Sequence, residues 1–132
     1  MIRAPGRFDP DRRRENVNLV DLYPTLCELA EISTPSDLDG RSLVPLLGGD
    51  SCGWVNETFS QYEGDQFMLK SGDLKYLTFG EWGPDVLFDL TSDPGESTNR
   101  MGESDYSEAA EMMRTRLQGF VGSREMALRG LE

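Results

Sequence analysis

Histidine is absent from this 132-residue chain. That removes both the commonest general base and the commonest transition-metal ligand. Cysteine is nearly absent too: Cys27 lies within an apolar helical pattern and Cys52 in a Gly-rich link. Two cysteines make no disulfide framework, no C-x-x-C pair offers a structural metal site, and both read as ordinary free thiols. Lysine is reduced to Lys70 and Lys75. Apolar runs never exceed a few residues, so no membrane span is expected. No basic segment followed by an apolar one marks a secretory signal at Met1. No repeat or low-complexity tract occurs.

What is abundant is acid. Asp and Glu number 24 against 13 Lys and Arg, a formal net charge of −11. This argues against nucleic acid or an anionic membrane as a partner, because phosphate binding needs a basic surface. Five of the bases, Arg3, Arg7, Arg12, Arg13 and Arg14, crowd into the first 14 residues, so the remainder is more acidic still. Two readings of that charge stand: a solvated, charge-rich surface, and adaptation to high salt. With 37% hydrophobic residues the composition is that of a soluble globular domain. A chain of this length buries roughly 65–70% of its unfolded surface.

Along the chain, Met1-Ile-Arg-Ala-Pro-Gly6 reads as a short strand end closed by a Pro-Gly turn, followed by a charged loop over 7–15. A helix is expected from Asp21 as N-cap, with Pro24 tolerated in its first turn. Leu22, Leu26, Leu29 and Ala30 fall on one face, and Ser33-Thr-Pro-Ser36 ends the helix. Asp39-Gly40 is a turn, and Ser42 caps a short helical turn through Leu47 with Pro45 inside it. Gly48 to Ser51 breaks the chain into two predicted units, residues 1–50 and 51–132. Downstream, strands are expected at Glu57–Tyr62, Gln66–Lys70, Leu74–Phe79 and Val86–Leu90, joined at Ser71-Gly72-Asp73 and Gly83-Pro84-Asp85. Leu74, Tyr76 and Thr78 share one side of their strand. A long helix begins at Ser104 or Asp105, with Ala109, Met112, Met113, Leu117, Phe120 and Val121 on or near its apolar face. The expected class is α+β: a strand and helix belonging to a larger α/β domain, then a small antiparallel sheet of three or four strands with a long C-terminal helix.

Several segments together resemble the C-terminal portion of sulfatases, in the alkaline-phosphatase-like superfamily. Met1-Ile-Arg-Ala-Pro-Gly6 is similar to the end of a V-P-L-I-I-R-x-P-G strand, and Val20-Asp21-Leu22-Tyr23-Pro24-Thr25-Leu26 to V-D-L-x-P-T-L. Pro35 through Leu47 resembles P-x-x-x-D-G-x-S-L-x-P-L-L. Lys75-Tyr76, Leu87-Phe88-Asp89-Leu90 and Asp93-Pro94-Gly95-Glu96-Ser97-Thr98-Asn99 are similar to K-Y, L-F-D-L and D-P-x-E-x-x-N. Each motif is weak alone; in this order and spacing they are specific. Only the final helix matches loosely. Met1 stands where the family places a residue inside a strand, which reads as an internal methionine taken as a start or as a truncated gene.

The resemblance implies a parent that hydrolyses sulfate esters with a formylglycine, made from Cys or Ser in C/S-x-P-x-R, and a calcium ion held by Asp and Asn. The physical demand is a metal and cations that stabilise charge on the ester oxygens. No catalytic, cofactor-binding or metal-ligating residue is expected in this chain. Neither Cys27 nor Cys52 fits the nucleophile motif. Ser33-Thr34-Pro35-Ser36-Asp37 comes nearest but carries Asp37 where arginine is required. Asp85, Asp89, Asp93 and Glu96 lack the regular D-x-D-x-D-G spacing of a calcium loop and read as a solvated turn. Lys75-Tyr76 reads as one exposed and one packed residue of a meander. Trp54 and Trp82 read as loop packing rather than a sugar platform. The tripeptide Asn56-Glu57-Thr58 matches a glycosylation acceptor by composition alone.

The chain by itself is therefore expected to be catalytically silent, covering one edge of a missing N-terminal catalytic domain and shaping its cleft rim. An apolar surface left uncovered there would favour self-association and loose order in residues 1–50. Two alternatives are a related phosphodiesterase or phosphonate hydrolase with the same C-terminal layout, and a self-standing noncatalytic interaction module. Substrate and compartment are not legible.

Overall fold

The computed structural model describes the backbone of residues 1–129 and the side chains of residues 1–122. Residues 130–132 of the expected 51–132 unit lie outside the described residues. The chain divides into two compact units, Met1–Asn56 and Glu57–Glu132. Residues 51–56 belong to the first, because Trp54 and Asn56 are tied to Asn16: its N–H reaches Asn56 Oδ1 at 2.6 Å and its carbonyl accepts the Trp54 indole N–H at 3.1 Å. The expected boundary at 50/51 falls six residues earlier.

In the first unit a 3-10 turn over Leu19–Asp21 runs into helix α1, Leu22–Leu29, and a short helix α2 follows at Val44–Leu47. Asp21 stands at the N-cap position of α1 as expected, but the capping side chain is that of Asn18, at the head of the 3-10 turn. Asn18 Oδ1 accepts the Leu19 N–H at 2.8 Å while Asp21 reaches back to the Asn18 N–H at 2.7 Å, a reciprocal capping box. Asp21 faces inward and carries no capping bond of its own to α1. The buried side of α1 is Pro24, Thr25 and Cys27, whereas Leu22 and Leu26 of the expected apolar face point outward. Residues 1–4 form no strand. A strand exists only through ladder pairing, and no partner strand lies beside them in this unit.

The second unit is a four-stranded antiparallel meander in the order β1-β2-β3-β4: β1 Glu57–Tyr62, β2 Gln66–Ser71, β3 Leu74–Thr78 and β4 Val86–Asp89. Period-2 alternation and short turns specify it. Gly72, at φ +55, opens the two-residue turn between β2 and β3, a conformation that costs any other residue. A 3-10 turn at Ser104–Tyr106 leads into α3, Ser107–Arg129, which packs on the sheet. The core is one cross-strand rung, Leu69–Tyr76–Leu87, lying under Ala110, Met113 and Leu117 of α3. The buried stripe of α3 runs through Ala110, Met113 and Leu117 at i, i+3 and i+7; Met112, expected on the apolar face, is exposed. Phe59 stacks on both Phe67 and Phe120 (ring centroids 5.9 and 5.6 Å) and extends the core toward β1.

Candidate functional site

The motif residues gather into two clasps, one in each unit. In the first, Asp21 spends both carboxylate oxygens on backbone: one on the Asn18 N–H, the other on the Arg41 N–H at 3.0 Å. The Thr25 hydroxyl donates to the Asp21 carbonyl at 2.5 Å and accepts the Leu43 N–H at 2.8 Å. V-D-L-x-P-T and D-G-R-S-L, about twenty residues apart in sequence, are thus halves of one joint. Gly40 sits in that joint so tightly that a Cβ would lie 2.2 Å from the Val20 carbonyl oxygen. Arg41 lays its guanidinium 3.5 Å over the Trp54 ring and donates to the Val55 carbonyl. Trp54 is thereby a packed residue, and Ser42 Oγ accepts the Val44 N–H at 3.1 Å.

In the second unit, Asp93 accepts the Ser97 and Thr98 N–H groups, each at 2.8 Å, which folds D-P-G-E-S-T into a tight loop. Asn99 Oδ1 then accepts the Leu87 N–H at 3.0 Å and the Met101 N–H at 2.9 Å, and the Arg100 N–H donates to the Leu87 carbonyl at 2.8 Å. These bonds satisfy the outer edge of β4, which would otherwise present unpaired groups. Glu96, at φ +54, receives the Lys75 ammonium at 2.7 Å. Lys75 is half-buried and paired, and Tyr76 is buried at 1% exposure.

A polar network seals the same unit. The Tyr76 hydroxyl donates to Asp85, which also receives Arg114 at 3.4 Å. Burial and the bond to Asp85 together raise the Tyr76 pKa above 10.0, against the opposing pull of Arg114. Desolvation pushes the Asp85 carboxyl up, but hydrogen bonds from Tyr76, Thr78 and Arg114 outweigh it and hold the group below 3.8. The Ser92 hydroxyl, followed by the Tyr106 phenol, lowers Asp89, and the Thr98 N–H leads the groups that lower Asp93. These shifts have structural causes: each acid is lowered by bonds from its own fold.

Among the described residues no group of three His, Cys, Asp or Glu side chains comes together as a metal site. Asp85, Asp89, Asp93 and Glu96 each serve a separate internal bond. Cys27 is buried and Cys52 exposed, both as free thiols. Ser33 to Asp37 is an exposed loop. Trp82 is 80% exposed, and Asn56 turns its Oδ1 to the Asn16 N–H. Sequence reading missed the clasp members Asn18, Thr25 and Arg41. The Asn-x-x-Asp spacing at 18–21 was the available signal for the first.

Comparison with known proteins gives these clasps a context. Arylsulfatase K of Xenopus laevis is 36% identical over 138 residues, spanning 92% of this chain and 25% of its own length. The Delta 4,5-hexuronate-2-O-sulfatase of Bacteroides thetaiotaomicron is 33% identical over 110 residues, 77% of this chain and 23% of its own. The structure of a 2-O GAG sulfatase superposes with a TM-score of 0.72 at 28% identity, covering 85% of this chain and 26% of that one. The phosphonate monoester hydrolase of Agrobacterium radiobacter superposes less well, at 0.53 and 25% identity, over 84% and 24%. The fold is that of the C-terminal region of sulfatases, within the alkaline-phosphatase-like superfamily. The chain belongs to the family described as N-sulphoglucosamine sulphohydrolase, C-terminal, whose model matches residues 1–122. It spans about a quarter of the length of the curated relatives it matches. Among the described residues no helix is long and apolar enough to cross a membrane.

Proposed function

We propose that this chain is the C-terminal structural portion of a sulfuric ester hydrolase and is catalytically silent without the rest of that enzyme. One observation carries the reading: the family motifs are spent on internal clasps, so the acids and cations that mark the family are occupied in holding its backbone. The parent's ester hydrolysis would use formylglycine and calcium supplied from outside these residues, which neither motif spacing nor donor clustering provides here. A doubly charged ester needs that external charge stabilisation, and 132 residues with no histidine offer no substitute. The role left to this chain is to complete the catalytic domain and to form part of the rim of its cleft.

Turnover of an aryl sulfate by the purified 132-residue chain, with calcium added, is expected to match the buffer blank. Turnover above the blank that scales with protein and survives repurification would sink the claim of silence. Reading the coding sequence upstream for an in-frame C/S-x-P-x-R tests the sulfatase parent. A different nucleophile motif there would move the assignment to a phosphonate or phosphodiester hydrolase.

A further inference from the structure

We infer that Tyr62 and Trp82, at one end of the meander, form a platform for an uncharged sugar ring. Taken with the sulfuric ester hydrolase reading above, on which this second step rests, the ester cleaved by the parent is carried by a carbohydrate that also has an unsulfated ring. The two tryptophans of the chain have opposite fates. Trp54 is packed, with its indole N–H on the Asn16 carbonyl and Arg41 over its ring. Trp82 is 80% exposed, and its indole N–H has no acceptor among the described residues. Tyr62 is 67% exposed. Among the described residues of the second unit, the only other exposed large apolar side chain is Met112, on α3. Scattered exposed apolar residues need no explanation, but two aromatics gathered in one place do.

The place is defined by the sheet. β1 ends at Tyr62, β2 begins at Gln66, β3 ends at Thr78 and a 3-10 turn over Gly80–Trp82 follows, so both rings stand at the same end. The turn that carries Trp82 is fixed through three successive N–H groups. Gly80 donates to Thr78 Oγ1 at 3.5 Å, Glu81 to Asp65 Oδ2 at 3.3 Å and Trp82 to the Phe79 carbonyl at 2.9 Å. Asp65 belongs to the turn that follows Tyr62, so its carboxylate ties the two aromatic-bearing segments together. Gly80, at φ +56, lies so close to Asp65 that no Cβ would fit. An aromatic side chain on a fixed backbone offers a large contact area at little cost in conformational entropy.

The ligand follows from the chemistry around the rings. A hexose presents a flat C–H face that stacks on an aromatic ring, and rim hydroxyls that donate to carboxylates. Glu63 and Glu81 flank the platform, both exposed and without an ion pair among the described residues. No lysine or arginine occurs in 57–69 or 76–99. Nothing in these segments would neutralise a sulfate or uronate on the bound ring, and like charges brought together are costly. The ring held here is therefore uncharged. An organic cation is the competing ligand, but it needs aromatic faces closed round it within ~6 Å, whereas these two rings are open to solvent.

The test follows the two indole N–H signals of the 132-residue chain by NMR, with Trp82→Ala identifying which is which. Cellohexaose at ~10 mM is expected to shift the Trp82 signal and leave that of Trp54 in place, with a millimolar Kd. Trp82→Ala and Tyr62→Ala should each raise Kd at least ~5-fold with the melting temperature within ~3 °C, since both side chains are exposed. Trp82→Tyr, which keeps an aromatic face, should retain most of the affinity. A chondroitin sulfate hexasaccharide is expected to bind at least ~5-fold more weakly at low salt, and Glu63→Gln with Glu81→Gln to narrow that gap. No Trp82 shift with cellohexaose or maltohexaose, unchanged affinity in the alanine variants, or tighter binding of the sulfated hexasaccharide would overturn the inference. So would a shift with choline alone, which would make this a cation site, or a large fall in melting temperature, which would mean that the rings pack within the chain. The ester reading is tested apart. A nucleophile motif upstream other than C/S-x-P-x-R, with Trp82 still shifting, would leave the platform standing and remove the sulfate ester; that motif with no shift would do the reverse.

Discussion

Asn99 accepts two backbone N–H groups, from Leu87 and Met101, and Leu87 is fully buried. Removing the acceptor strands a donor in the core, which costs far more than one average hydrogen bond. Asn99→Ala is therefore expected to destabilise the second unit by about 2–3 kcal/mol, whereas Asn99→Asp, which keeps the acceptor, should cost much less. Urea melts of the two variants check the difference; equal losses would show that the side-chain oxygen is not what matters. Gly40 is a different kind of constraint. Its Cβ would collide with the Val20 carbonyl, which is backbone and cannot swing aside. Gly40→Ala should lower stability by about 2 kcal/mol or more, with the loss confined to exchange protection in Leu19–Leu29 and Val44–Leu47. The Asp-Gly pair was legible as turn chemistry. Its steric cause was not, because Val20 lies twenty residues away and only the fold brings its carbonyl there.

At the scale of elements, the meander was the most legible part. Its strands pair with sequence neighbours through short turns, so alternation and turn residues contain nearly all the information. Helix faces were harder to read. The apolar residues of α3 permit more than one rotation about its axis, and the rung Leu69–Tyr76–Leu87 selects Ala110, Met113 and Leu117 over Ala109 and Met112. Met113→Ala should accordingly cost about 2–4 kcal/mol through a core cavity, while Met112→Ala, at 53% exposure, should stay within about 0.5 kcal/mol. Comparable losses at both positions would contradict the observed rotation. In α1 the ambiguity was greater still. Periodicity marked Leu22, Leu26, Leu29 and Ala30 as a face, but the bond from Thr25 to Leu43 turns the other side inward. A threonine buried among leucines carries no periodic signal.

For the molecule as a whole, stability should depend on pH at both extremes. Asp85, Asp89 and Asp93 all titrate below 3.8 in the folded state. A lowered folded pKa contributes stability above the unfolded value and loses it as pH falls through the folded one. The melting temperature should therefore hold down to the ordinary carboxylate range and drop below it. Tyr76, raised above 10.0, contributes in the opposite sense: its stabilisation is present below pH 10 and lost as pH climbs through the folded value. Asp85→Asn should flatten the acid limb more than it shifts the alkaline one; an unchanged acid limb would remove Asp85 from the account. The sequence by itself determined the sulfatase resemblance, the acidic charge, the α+β class and the strand order, because these depend on composition, local turns and contiguous pattern. Only the tertiary structure decided that the motifs are clasps, that Asn18 rather than Asp21 supplies the capping side chain, and that α1 turns Leu22, Tyr23 and Leu26 outward. Those outcomes depend on bonds between Asp21 and Arg41, Thr25 and Leu43, and Asn99 and Leu87, whose partners are distant in the chain and meet only when it folds.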